Sequence, residues 1–188
     1  MQMLNFLIST LIGLYTMVLL LRIWMQWSRT DFYNPLSQLV VKATNPLVIP
    51  LRRVIPSLGQ IDTATLLIAF VVCLVKAIIL LQTITFVPTV WIIALLILLK
   101  TAGQLFFWVM ILRSIMSWVS QGRNPIEYAL IQLTEPVMAP VRRILPPMAG
   151  IDFSGMVLIL VLYALNIGVA EVLALSGDML LPSVWYAI

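Results

Sequence analysis

The chain has 188 residues, of which 62% are hydrophobic and 10% charged, and its mean hydropathy is +1.10. Soluble domains are about half apolar and about a quarter charged, so the composition argues against a water-soluble domain and against disorder. There is no histidine and one cysteine, Cys73, which removes His-based triads, the usual zinc sites and any disulfide within the chain.

Spanning a bilayer takes about 20 mostly apolar residues in a helix. The first such window covers about 4–27, with Arg22 near its end. Its apolar part is too long for a cleaved signal peptide and no Lys or Arg precedes it, so a retained helix is expected. The second covers about 63–87 and holds Lys76; the third covers about 89–118 and holds Lys100, with Arg113 near its end. Pro88 is the natural turn between them. The fourth covers about 153–175 and holds Glu171, and a tail at 177–188 follows it.

The polar stretches between spans repeat. Asn45-Pro46-Leu47-Val48-Ile49-Pro50-Leu51-Arg52-Arg53-Val54-Ile55-Pro56 aligns with Glu135-Pro136-Val137-Met138-Ala139-Pro140-Val141-Arg142-Arg143-Ile144-Leu145-Pro146 at an offset of 90. The match extends to Asp62 and Asp152 and back to Asn34-Pro35 and Asn124-Pro125. One residue of slippage aligns Arg22 with Arg113. Units 1–88 and 89–176 thus each read helix, polar segment, helix. With two spans per unit both copies share one orientation, as expected of direct parallel repeats about an axis along the membrane normal.

Within each polar segment, Leu36, Leu39, Val40 and Ala43, and again Ile126, Ala129, Leu130 and Leu133, fall at i, i+3, i+4 and i+7. That spacing predicts short amphipathic helices over about 35–44 and 125–134. Asn34 and Asn124 would cap them, Pro35 and Pro125 would start them, and Pro46 and Pro136 would end them.

Nine of eleven basic residues lie on one side of the spans: Arg29, Lys42, Arg52, Arg53, Arg123, Arg142 and Arg143 in the loops, with Arg22 and Arg113 at helix ends. The positive-inside rule puts that side in the cytoplasm and both termini outside. Trp24, Trp27 and Trp118 would mark the inner interface and Trp91 the outer one. A bacterial inner membrane is the expected location. Orientation accounts for the pI of about 9.6, so no direct nucleic-acid partner is needed.

The paired NP…PLRR-[VI]-[IL]-P-x-x-x-x-ID cassette resembles the YggT family of bacterial integral membrane proteins, also called YlmG, over essentially the whole chain. The resemblance implies an all-α, four-span, two-unit protein that is not an enzyme. It also implies links to cell division and nucleoid organisation, to cofactor assembly in chloroplasts, and to ion or osmotic homeostasis.

Three groups of residues are candidates for function. Arg52, Arg53, Arg142 and Arg143, with Lys42 and Arg123, could bind anionic lipid head groups or an acidic partner surface, each basic residue contributing about 1 kcal/mol of attraction to anionic lipid. Alternatively they anchor topology. Asp62 and Asp152 could cap the second and fourth helices, or pair with Arg22, Arg113 or the Arg doublets. A two-carboxylate cation site would be weak, so neither a metal nor another cofactor is expected. Lys76, Lys100, Gln104, Asn166 and Glu171 lie within spans, where charge marks function by default. They could form a polar pathway facing one cavity; alternatively the lysines snorkel outward, with one Lys–Glu pair. Cys73 reads as packing. Gly13, Gly103, Gly155 and Gly168 read as close-packing positions, and the tail with Trp185 as lying on the outer membrane surface.

No nucleophile–base pair, metal cluster or phosphate-binding glycine loop is present, which points away from an enzyme. The leading expectation is a membrane scaffold or assembly factor contacting lipid and an unidentified membrane or cytoplasmic protein, with self-association open. The alternative is a transporter, channel or modulator of ion flux in osmotic or potassium homeostasis.

Overall fold

The computed structural model describes residues 2–57, 59, 61–81, 88–120, 124–145, 153–175 and 180–187. The expected turn over 82–87, Arg123, Asp152 and the side chain of Trp118 lie outside the described residues. The elements are helices: α1 (Gln2–Trp27), α2 (Pro35–Arg52), α3 (Thr63–Leu81), α4 (Pro88–Ser120), α5 (Pro125–Ile144), α6 (Ser154–Leu175) and α7 (Leu180–Ala187). Four of them, α1, α3, α4 and α6, are long and apolar enough to cross a membrane. Their hydropathic runs dictate this, because a helix of about 20 residues reaches about 30 Å and satisfies its own backbone.

The two amphipathic helices start as their sequences direct. Asn34 and Asn124 each accept a hydrogen bond on the side-chain oxygen, from the amides of Leu36 and Ile126 at 2.9 Å. A proline follows at the first helical position, where its missing N–H is no loss. Their ends correct the sequence reading. Neither Pro46 nor Pro136 terminates its helix: α2 continues to Arg52 and α5 to Ile144, with Pro46, Pro50, Pro136 and Pro140 inside. The four prolines sit on exposed faces. The carbonyls they leave unpaired, those of residues four earlier, therefore belong to exposed or half-buried positions, where other partners can reach them.

The buried face of α2 also differs from the expected one. Ser37, Val40, Thr44 and Val48 point inward, while Leu39 is exposed. The two hydroxyls satisfy themselves locally, Ser37 Oγ on the Asp31 carbonyl and Thr44 Oγ1 on the Val40 carbonyl, both at 2.7 Å, so they enter the interior without an unpaired group. In α5 the expected Ala129, Leu130 and Leu133 are buried.

The helix α3 packs along α1 and α4, and α1 also touches α4. Its inward side carries Thr65, Ala69, Cys73 and Ala77 at intervals of four. Small side chains so spaced let helix backbones approach closely, which is how apolar helices associate where burial from water supplies no driving force. Trp24 of α1 stacks on Phe106 of α4, ring centroids 5.2 Å apart. The units pack differently. α6 rests on α4, α5 and α7, with only Ser154 and Ala170 buried. Gly155 meets Met110, but a Cβ at Gly103 or Gly168 would meet nothing within 4 Å. Those two are therefore not close-packing positions.

The tail helix α7 packs against the bundle. Leu181, Val184 and Trp185 of α7 are buried, the first two in a cluster with Cys73 and Ala77 of α3 and Val90, Ile93, Ala94 and Ile97 of α4.

Candidate functional site

At the end of the bundle where α2 and α5 lie, a buried knot of side chains ties α1, α2 and α3 together. Arg22, 6% exposed, projects from the last turns of α1. Its Nη1 donates to Thr44 Oγ1 at 2.5 Å and to Asn45 Oδ1 at 2.9 Å, and its Nε lies 3.9 Å from Asp62 Oδ2. Arg52, at the end of α2, donates through Nε and Nη2 to the same oxygen at 3.1 and 2.5 Å, and through Nη2 to Gln26 Oε1 at 3.2 Å.

Asp62 is fully buried. Its Oδ1 accepts from the Thr65 amide at 3.3 Å and its Oδ2 from the Thr65 hydroxyl. One carboxylate thus both caps α3 and pairs with two arginines. Burial alone would raise its pKa, but hydrogen bonds from Arg52 and Thr65 and the Arg52 charge outweigh it and hold the group below the usual carboxylate value. It is therefore ionised at neutral pH.

The second unit repeats part of this geometry. Arg113 Nη1 donates to Thr134 Oγ1 and contacts Met138 Sδ. Arg142 Nη1 donates to both oxygens of Glu135, at 3.0 and 3.1 Å. The two amphipathic helices meet at their starts, where Asn34 Nδ2 donates to the Pro125 carbonyl and the Asp31 amide to Gln132 Oε1 at 3.0 Å. Lys42, Arg53 and Arg143 are exposed. Arg52 and Arg142 each pair with a carboxylate, so the two arginines of each doublet differ in their contacts.

Sequence reasoning missed Thr44, Asn45, Gln26 and Glu127. The first could have been found: Thr44-Asn45-Pro46 and Thr134-Glu135-Pro136 put a threonine at the same place in both units. Gln26 and Glu127, the latter buried in the first turn of α5, carry no such signal.

The polar residues of the long helices do not all converge. Lys100, Gln104 and Asn166 line one open cleft of about 710 Å³ between α4, α6 and α7, otherwise apolar. Lys100 Nζ donates to the Trp185 carbonyl and sits 4.9 Å from the centre of the same indole. The last carbonyls of a helix lack intrahelical partners and carry the negative end of its dipole, so the lysine caps α7. Lys76 is buried on α3 and lies close to Gly13 of α1, where an added Cβ would stand 3.5 Å from Nζ. Glu171 is exposed on α6. The expected Lys–Glu pair is thus not formed: Lys100 turns to α7 and Lys76 to α1. The described residues include no group of three or more His, Cys, Asp or Glu side chains that could hold a metal ion.

The described residues fold into helices, four of them of membrane-crossing length and apolarity, consistent with a multi-pass bacterial membrane protein. The chain belongs to the CCB3/YggT family, whose model matches residues 1–83 and 92–173. It is 62% identical to the protein YggT of Escherichia coli strain K12 over 188 residues, the full length of both chains. A Vibrio alginolyticus protein encoded in the proC 3' region is 49% identical over 191 residues, 99% of each chain. A Haemophilus influenzae protein is 40% identical over 159 residues, 85% of this chain and 87% of its own. The names of these relatives state no activity, and no solved structure matches the chain.

Proposed function

We propose that this protein is a non-enzymatic scaffold or assembly factor of the bacterial inner membrane. It crosses the membrane four times as two direct repeats, with both termini outside and α2 and α5 at the cytoplasmic surface. There it contacts anionic lipid head groups and a membrane or cytoplasmic protein, with a second copy of the chain as a further partner. The observation that carries this reading is the joining of α2 to α5 at Asn34 and Pro125, with α2 also held to the long helices through Arg22 and Asp62. Two amphipathic helices so fixed expose Lys42, Arg53 and Arg143 and also Leu39, Leu47, Ile49 and Ile144. Exposed basic and apolar groups on helices fixed to the bundle suit the head-group region of an anionic membrane.

The test is replacement of Lys42, Arg53 and Arg143 together by glutamine, which leaves the ion pairs of Arg52 and Arg142 in place. The full chain, held in phosphatidylcholine nanodiscs, is titrated with phosphatidylglycerol vesicles. The triple variant is expected to bind them more weakly than the parent and with a shallower salt dependence. Equal binding would overturn the reading.

A second reading, a transporter, channel or modulator of ion flux, is favoured by one observation: Lys100, Gln104 and Asn166 share the α4–α6–α7 cleft. Its test is ion flux in reconstituted vesicles that is altered by Lys100→Met. The connection of the first reading with cell division or envelope organisation, and of the second with osmotic or potassium homeostasis, rests on the family resemblance alone.

A further inference from the structure

The pocket of about 440 Å³ beside the knot is lined by Arg22, Gln26, Phe32, Val41, Asn45 and Arg52. Its polar groups are donors whose acceptors are already used. Asn45 Oδ1 is taken by Arg22 and Gln26 Oε1 by Arg52, which leaves both side-chain NH₂ groups to donate. Among the described residues, Arg22 uses only Nη1 in hydrogen bonds, and Arg52 only Nε and Nη2. Two guanidinium groups face one carboxylate here, and both oxygens of that carboxylate are engaged. The surroundings therefore carry a net positive charge, and Arg22 is buried in them.

The second unit provides an internal comparison. Asn45 aligns with Glu135 and Arg52 with Arg142. Glu135 places a carboxylate on the Arg142 guanidinium through two contacts. At the matching place the first unit has a neutral amide and an open pocket.

We infer that the pocket between α1 and α2 is an oxyanion site that takes the phosphate group of a monoester or diester, in the place that the Glu135 carboxylate fills in the second unit. Four donor side chains surround it, which suits the several oxygens of a phosphate better than the two of a carboxylate. Half-exposed Phe32 and half-buried Val41 give the same pocket an apolar edge. The inference deepens the lipid-contact part of the proposed function, but its test reads the pocket alone, whereas the triple variant above reads the exposed surface.

The experiment uses the full-length protein in mixed micelles of phosphatidylglycerol and phosphatidylcholine, with retained lipid counted by native mass spectrometry. Asn45→Glu brings the second unit's carboxylate into the first and is expected to weaken retention of phosphatidylglycerol at least about tenfold, the equivalent of about 1.4 kcal/mol. Asn45→Gln keeps an amide and is expected to retain it, and Arg52→Gln is expected to weaken it with Asn45 intact. Inorganic phosphate that displaces the lipid would show that the site also takes free phosphate. Failure to displace it assigns the site to the lipid phosphodiester. Retention by Asn45→Glu equal to the parent's, in protein that elutes and melts normally, would overturn the proposal. So would a parent that neither prefers phosphatidylglycerol nor binds inorganic phosphate.

Discussion

Arg22 and Thr44 are joined by a buried hydrogen bond, Nη1 to Oγ1 at 2.5 Å, that ties the end of α1 to the middle of α2. Arg113 and Thr134 make the same contact between α4 and α5. A guanidinium buried at a helix end needs every acceptor it has, because leaving a charged donor unsatisfied costs more than a neutral one. Thr44→Val is expected to destabilise the protein by about 1–3 kcal/mol, and Thr44→Ser, which keeps the hydroxyl, to restore most of the loss. Thermal unfolding in detergent, followed by near-ultraviolet circular dichroism, measures both.

Asp62 couples the knot to pH. Its carboxyl is held below the usual value by Arg52 and Thr65 against the opposing effect of burial. A depressed carboxyl contributes stability above its unfolded pKa, about 3.9, and the contribution is lost as pH falls through the lower folded value. The melting temperature should therefore show no Asp62 contribution to its slope between about pH 7 and 5, and should fall below about pH 4. Asp62→Asn is expected to flatten that acid limb. It should also lower stability at pH 7 by about 3–5 kcal/mol, because it leaves buried Arg22 without its carboxylate.

How far all this could be read in advance differs by feature. The four long helices follow from apolar runs that no soluble arrangement could bury, and the starts of α2 and α5 follow from Asn-Pro. The inward face of α2 was legible only at Val40, because Ser37 and Thr44 score as polar until their local acceptors are seen. The prolines at 46 and 136 mislead because interrupting a helix depends on whether the released carbonyls lie at accessible positions, which sequence spacing alone does not state. For Lys76, Lys100 and Glu171, depth along a helix can be counted at about 1.5 Å per residue. The direction each side chain faces around the axis depends on packing, and packing separates them. Of the candidate site, the arginines and Asp62 were legible through their repetition, while the neutral partners Asn45 and Gln26 were not.

Lys100 and Trp185 offer a test of how α7 is held. Lys100→Met removes the ammonium at the end of α7 and is expected to raise amide hydrogen exchange over 180–187 by severalfold, with little change in α3. Trp185→Phe should behave differently. The indole Nε1 is buried without a hydrogen-bond partner among the described residues, and a phenyl ring keeps a face for the lysine. Its loss should be under about 1 kcal/mol, since an unpaired buried donor is removed along with some packing.

The prolines inside α2 make a stability prediction of opposite sign. Proline is about 3 kcal/mol less favourable than alanine in a helix interior, and Pro46 is exposed. Pro46→Ala is expected to raise the melting temperature or leave it unchanged, with the gain bounded by that figure. A lower melting temperature would mean that Pro46 packs against a neighbour.

The measurement closest to the central claim is site-specific photocrosslinking in native membranes, with the reactive group placed in turn at 42, 53 and 143 and, as a comparison, at 163 on α6. Adducts with phosphatidylglycerol are expected at the three basic-end positions, with one recurring protein adduct shared by 53 and 143. Position 163 should meet lipid chains without that shared protein. An absence of both adducts at 42, 53 and 143 would contradict the assignment of this surface to lipid and partner contact.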